Sequence, residues 1–153
     1  MKNLKTALII SIVVLLTLSI PGADKQEEEK VLDVVNKFFK VLETGDMALA
    51  KEILMINGSN FSIREEGESF SIRFTNYKTL IETLPKTKGK YREVIENPKV
   101  LIHKNMAVVW AEYKFFINEK FSHCGVDSFS LIKDTDQWKI VSIIYTVEKK
   151  GCR

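Results

Sequence analysis

Cysteine is scarce in this chain: two residues, Cys124 and Cys152, in 153. Histidine is as sparse, with only His103 and His123, so a tetrahedral zinc site would need all four side chains together. His103 stands beside an expected turn and far along the chain from the others, which leaves a disulfide or free thiols as the readings of the cysteines and no metal. Proline (three residues) and glycine (seven) are few, and the chain has no internal repeat and no low-complexity stretch. No cofactor-binding motif is found. Charge of one sign is also lacking. With 23 basic and 20 acidic residues the formal charge is +3, and the densest basic cluster, Lys86 to Arg92, reads as a solvated loop. A nucleic-acid-binding surface, which concentrates Lys and Arg on one face, is not indicated.

An apolar run long enough to span a membrane is missing too. Thr6 to Ile20 is nearly unbroken, but it stops at Pro21-Gly22 and is followed by Asp24-Lys25-Gln26-Glu27-Glu28-Glu29, whereas a spanning helix needs roughly 20 apolar residues. Preceded by Lys2 and Lys5, the run has the layout of a cleavable signal peptide over residues 1–23, with Gly22 or Ala23 as the small residue before the cut. No cysteine lies at the junction to carry a lipoprotein's lipid. The expectation is a periplasmic or secreted protein with no membrane partner after cleavage, and a single domain over residues 24–153. Removing residues 1–23 takes two of the basic residues and none of the acids, leaving a formal charge of +1.

What is present is a change of texture along the chain. Val31, Val34, Val35, Phe38, Phe39 and Leu42 recur at helical spacing, with acids ahead of them that suit a helix start. Gly45 ends this helix, and Asp46 caps a shorter one over Met47 to Met55. Asn57-Gly58-Ser59-Asn60 reads as a break. Phe61 to Arg64 and Ser69 to Phe74 then form two short strands, and Asn76 to Leu84 a third helix stopped before Pro85. From Tyr91 onward, runs rich in Val, Ile, Phe, Tyr and Trp are punctuated by turn residues at Asn97-Pro98, Lys104-Asn105, Asn118-Glu119-Lys120 and Asp134-Thr135-Asp136-Gln137, as in consecutive antiparallel strands. Helices first and a meander afterwards predict an α+β domain with its helices on one face of the sheet.

This order, with Gly45-Asp46 opening the second helix, Phe61 starting the first strand and Trp138-Lys139-Ile140 in the last, resembles the nuclear transport factor 2-like superfamily. That superfamily includes ketosteroid isomerases, scytalone dehydratases and polyketide cyclases. The closing pattern His123-Cys124-Gly125, Trp138-Lys139-Ile140, Thr146 and Gly151-Cys152 resembles an exported bacterial branch of it, usually without an assigned function. The resemblance implies a cone: N-terminal helices packed in the concave face of a strongly curved, mostly antiparallel sheet, with a pocket inside. It also implies a homodimer through the sheet's outer face.

Strand alternation locates a candidate site in that pocket. Phe129 and Leu131 want the core, so His123, Gly125 and Asp127 point the same way. A three-residue loop at Asn118 to Lys120 sets Tyr113 opposite Gly125, in an apolar row with Ala107, Val109, Ala111 and Phe115. A four-residue turn at Asp134 to Gln137 pairs Leu131 with Ile140 and Phe129 with Ser142, and brings Thr146 opposite Gly125. Tyr113, Ser142 and Thr146 then line a ligand-binding end beside His123 and Asp127, the expected acid/base pair. Such a polar set can also merely satisfy itself by hydrogen bonding. Glu112, adjacent to Tyr113, falls on the opposite face, so the isomerase triad of a tyrosine and two acids is not matched. Trp110 shares that outer face and suits a dimer contact. By the same pairing Cys124 faces away from the pocket opposite Val147, close enough for Cys152 to reach it. A disulfide is therefore expected, on compartment and proximity.

Three functions follow as expectations: a small-molecule-binding domain, an isomerase-, dehydratase- or cyclase-type enzyme using His123 and Asp127, or a dimeric interaction protein with a vestigial pocket.

Overall fold

The computed structural model describes residues 21–67, 69–86 and 89–152. Residues 1–20, on which the expected leader mainly rests, lie outside them. The elements are α1 (Pro21–Thr44), α2 (Met47–Ile53), β1 (Leu54–Glu66), β2 (Ser69–Asn76), α3 (Tyr77–Thr83), a short 3₁₀ turn, β3 (Tyr91–His103), β4 (Met106–Ile117), β5 (Lys120–Asp134) and β6 (Gln137–Val147). This is the expected α+β architecture.

Local chemistry sets the helix ends. Gly45, at φ +68°, takes the left-handed conformation that stops α1. The Asp46 carboxylate accepts hydrogen bonds from the amides of Ala48 and Leu49, both at 3.0 Å, and so starts α2. Asn76 does the same for α3 by accepting from Thr79 N at 2.7 Å. On α1, Val31, Val34, Val35, Phe38 and Val41 are buried on one face. They pack with Phe129, Leu131 and Ile140 from the concave side of the sheet to form the core.

The six strands run in the order β2-β1-β6-β5-β4-β3. Every neighbouring pair is antiparallel except β1 with β6, which is parallel. Two segments expected as turns lie within strands. Asn57 to Asn60 belongs to β1, which bulges against β6 between Leu54 and Ser59. Gly58 is required there, because a side chain would collide with the Val141 carbonyl and the Tyr77 ring. Asn97-Pro98 is likewise a bulge inside the 13-residue β3, with Asn97 at φ 47°.

A third irregularity decides which residues face inward. β5 and β6 begin in the expected register, Leu131 opposite Ile140, but Val141 is then left unpaired and the register moves by one. Phe129 thus pairs with Ile143 and not Ser142, and Asp127 pairs with Tyr145. A one-residue slip exchanges the two faces of a strand. Ile143, Tyr145 and Val147 therefore point toward the helices, and Ser142 and Thr146 do not.

At the α1 N-terminal region, Glu27 accepts hydrogen bonds from Lys133 Nζ (2.8 Å) and Trp138 Nε1 (3.1 Å), which clasps the helix to the β5–β6 hairpin. At the other end of the sheet the Cys124–Cys152 disulfide closes the chain, with Cα atoms 5.7 Å apart. Cys124 bridges Glu148, one residue beyond the expected Val147 because of the same slip.

Candidate functional site

Between α1, α3 and the concave sheet lies a cavity of about 430 Å³. Its walls are apolar and aromatic: Phe38 and Leu42 from α1, Leu80 from α3, Tyr91 from β3, Phe115 from β4 and Ile143 from β6. The polar groups gather from different strands. Alternation brings Asn60 and Arg64 in from β1, Glu93 from β3, Tyr113 from β4, His123 and Asp127 from β5, and Tyr145 from β6. A smaller hollow, about 140 Å³, lies beside the disulfide and is framed on the outer face by Glu96, Glu112 and Lys114.

His123 and Asp127 both line the cavity, yet they do not pair. Four residues along a strand span about 13 Å, so two side chains at that spacing cannot share a hydrogen bond. The His123 ring is instead stacked on Phe115 at 4.8 Å and meets Tyr113 edge-on at 5.9 Å. Its Nδ1 shares a 3.0 Å hydrogen bond with Ser122 Oγ. Burial lowers its pKa, and the cations of Arg64 and Lys149 lower it further, so the imidazole is neutral at neutral pH.

The partner of Asp127 is Glu93. Asp127 is 3% exposed, and no amide, hydroxyl or cationic donor among the described residues reaches its buried Oδ2. Burial raises both carboxyls, and the negative charge of Asp127 raises Glu93 further, so Glu93 keeps its proton and donates it to Asp127. Tyr113 and Tyr145 flank this acid pair. Burial and the nearby acids push both phenols up, so both stay protonated. Tyr113 donates a 2.6 Å hydrogen bond to the Thr146 carbonyl. That carbonyl turns into the space above Gly125, where a side chain would strike it.

Arg64 supplies the cationic group of the lining. Its Nε is buried without a hydrogen-bond partner among the described residues. Lys149 lines the cavity while remaining exposed, which places it at the rim. Among the described residues no group of three or more His, Cys, Asp or Glu side chains is gathered as a metal ion would require.

A family model described as "Putative lumazine-binding" matches residues 26–146. The chain belongs to this family. Solved structures of similar fold include a nuclear transport factor 2-like protein from Cytophaga hutchinsonii, 14% identical, covering 79% of this chain and 98% of that one at a TM-score of 0.65. A superfamily member from Salmonella enterica is 18% identical over 85% and 95% of the two chains, at 0.62. A protein with a cystatin-like fold from Novosphingobium aromaticivorans is 10% identical over 92% and 94%, at 0.66. At these identities the likeness is one of fold, and the fold is the nuclear transport factor 2-like cone. No curated protein matches the chain.

Of the residues that the sequence of this lumazine-binding-family member singles out, Tyr113, His123 and Asp127 reach the cavity. Ser142 does not, and its strand neighbours are Ser59 and Ser130. Thr146 contributes only its carbonyl, because its hydroxyl accepts from Val126 N and donates to Glu148 at 2.9 Å each. Glu93, Arg64 and Tyr145 complete the polar end. Glu93 carries a readable signal, since it alternates with Tyr91 and Ile95, both packed against the core. Arg64 carries none: it shares its face with Asn60 and Ser62 and lies opposite Phe61 and Ile63, which pattern alone would turn inward.

Proposed function

We propose that residues 24–153 form an exported nuclear transport factor 2-like domain that binds a modest organic ligand in its internal cavity. The observation that carries this reading is the cavity itself: about 430 Å³, within the range of small-molecule sites, walled by rings and aliphatic chains, with polar groups from five strands converging on it. The family description supports a small ligand. The disulfide supports an oxidising compartment, and with it the signal peptide over residues 1–23. Cleavage after Ala23 would trim the first residues of α1 and leave the Glu27 clasp intact.

Native mass spectrometry of protein purified from its source tests the reading. The expected spectrum shows the chain without residues 1–23 carrying an adduct of small-molecule mass. A bare, full-length chain that takes up no apolar dye would overturn it.

One observation favours a second reading, acid/base catalysis of the isomerase, dehydratase or cyclase type. Glu93 against Asp127, beside Tyr113 in a largely apolar cavity, is a buried acid pair in which burial raises both carboxyls, Asp127 to about 6, as acid/base work near neutral pH requires of a carboxylate. In that reading Glu93 takes the part first given to His123. We further propose a homodimer through the outer sheet face. There Trp110, Ile144, Phe61 and Phe74 stand in one cross-strand row, broken by Ser128.

A further inference from the structure

The charged groups of the cavity narrow the class of ligand. Glu93 and Asp127 face each other as an acid pair that burial raises. Arg64 has its Nε buried and unpartnered, with no ion pair to it among the described residues. Leaving a buried guanidinium N–H unsatisfied is costly, and an anion or carbonyl arriving with the ligand would remove that cost. The cationic character extends to the rim: Lys149 lines the same cavity, and His123 lies close enough to feel both charges. Around these groups the walls are aromatic, with Tyr91, Tyr113, Phe115 and Tyr145 among them.

We infer that the ligand is a ring compound bearing one carboxylate, its apolar body against the aromatic walls and its carboxylate on Arg64. This rests on the cavity-binding reading above. A single guanidinium matches a single negative charge, and its planar donor fork matches a carboxylate. A dianion such as a phosphate monoester would bring a second charge into a cavity that already holds the acid pair. A cation would be repelled by Arg64, and by Lys149 at the rim.

The test uses the disulfide-intact protein at pH 7, the neutral dye N-phenyl-1-naphthylamine as a reporter of the cavity, and two competitors with one ring system, 2-naphthoate and 2-naphthamide. The dye is expected to bind, and naphthoate to displace it at a concentration about tenfold or more below that of naphthamide, the usual worth of a charge-assisted hydrogen bond. Arg64→Met should raise the naphthoate concentration by about the same factor and leave naphthamide nearly unmoved, while Arg64→Lys should retain part of the preference. Equal displacement by both competitors would overturn the carboxylate assignment and leave the cavity reading standing. So would a naphthoate preference that survives in Arg64→Met, since the charge would then be met elsewhere. Failure of the dye to enter the folded protein would overturn both.

Discussion

Asp127 meets Glu93, two strands away in the sheet, and not His123, four residues away in its own strand. The difference changes which groups hold a proton at the site and how the molecule responds to pH.

Burial pushes Asp127 up to about 6 and Glu93 upward as well, so the folded protein keeps protons that the unfolded chain releases near pH 4. The contribution is therefore fully present below the unfolded values and is lost as pH rises through about 6, by on the order of 2 kcal/mol. Glu93→Gln keeps a donor for Asp127 and removes one titrating group. Denaturation measured from pH 4 to 8 should show a flatter decline in this variant than in the parent. Parallel curves would mean that the two carboxyls do not interact.

The Glu27 clasp works in the opposite sense. Hydrogen bonds from Lys133, Lys30 and Trp138 hold its carboxyl down at about 2. Its stabilisation is present above the ordinary carboxylate value and lost as pH falls toward 2. Glu27→Gln is expected to cost about 1 kcal/mol at pH 7, a modest figure because the pair is partly solvated. The penalty should shrink steadily between pH 4.5 and 2. A penalty independent of pH would show that the clasp is packing alone.

Replacing both cysteines, Cys124→Ser with Cys152→Ser, opens a loop closed over a separation of 28 residues. The chain-entropy estimate for such a loop is about 3 to 4 kcal/mol. Urea denaturation should register a loss near that size with the fold retained. Amide exchange should quicken at Cys124 and Glu148, which exchange backbone hydrogen bonds of 3.0 and 2.9 Å. An unchanged urea midpoint would count against a structural role for the bond.

Phe70, Ile72 and Phe74 on β2 are 67%, 60% and 59% exposed, and Trp110 on β4 is 40% exposed, with Lys99 over its ring at 5.5 Å. Sedimentation of the parent chain is expected at twice the protomer mass, and Trp110→Asp with Phe74→Asp should halve it at little cost in stability. A parent chain that sediments as a monomer at micromolar concentration ends the dimer proposal.

How much of this was legible in sequence depended on where each strand was irregular. Helical spacing and the Gly45-Asp46 junction gave the first two helices, because capping and burial act locally. Tyr113 came out opposite Gly125 through two errors that cancel. The hairpin loop is two residues and not three, but β4 and β5 bulge between Phe115 and Phe116, which restores the register. No such compensation follows Val141. The bulge there lies against Gly58, whose missing side chain leaves room for the Val141 carbonyl, a tertiary neighbour that alternation cannot see, and it sets Ile143 and Tyr145 inward in place of Ser142 and Thr146. On β1, Phe61 and Ile63 face the outer side and Ser62, 4% exposed, faces in, the reverse of what hydrophobic alternation alone suggests.

The parallel pairing of β1 with β6 governs when folding can finish. β1 and β2 form a hairpin, but among the described residues their other neighbour in the sheet is β6, four strands further along the chain. Contacts this distant in sequence form late, because the intervening loop must be closed first. Until β6 docks, the aromatic rim of β2 and the inner row of β1 have no sheet to join, and Arg64 has no cavity to enter. Without β6 the helices have no complete concave face to cover, and the cavity lacks the wall that Ile143 and Tyr145 supply.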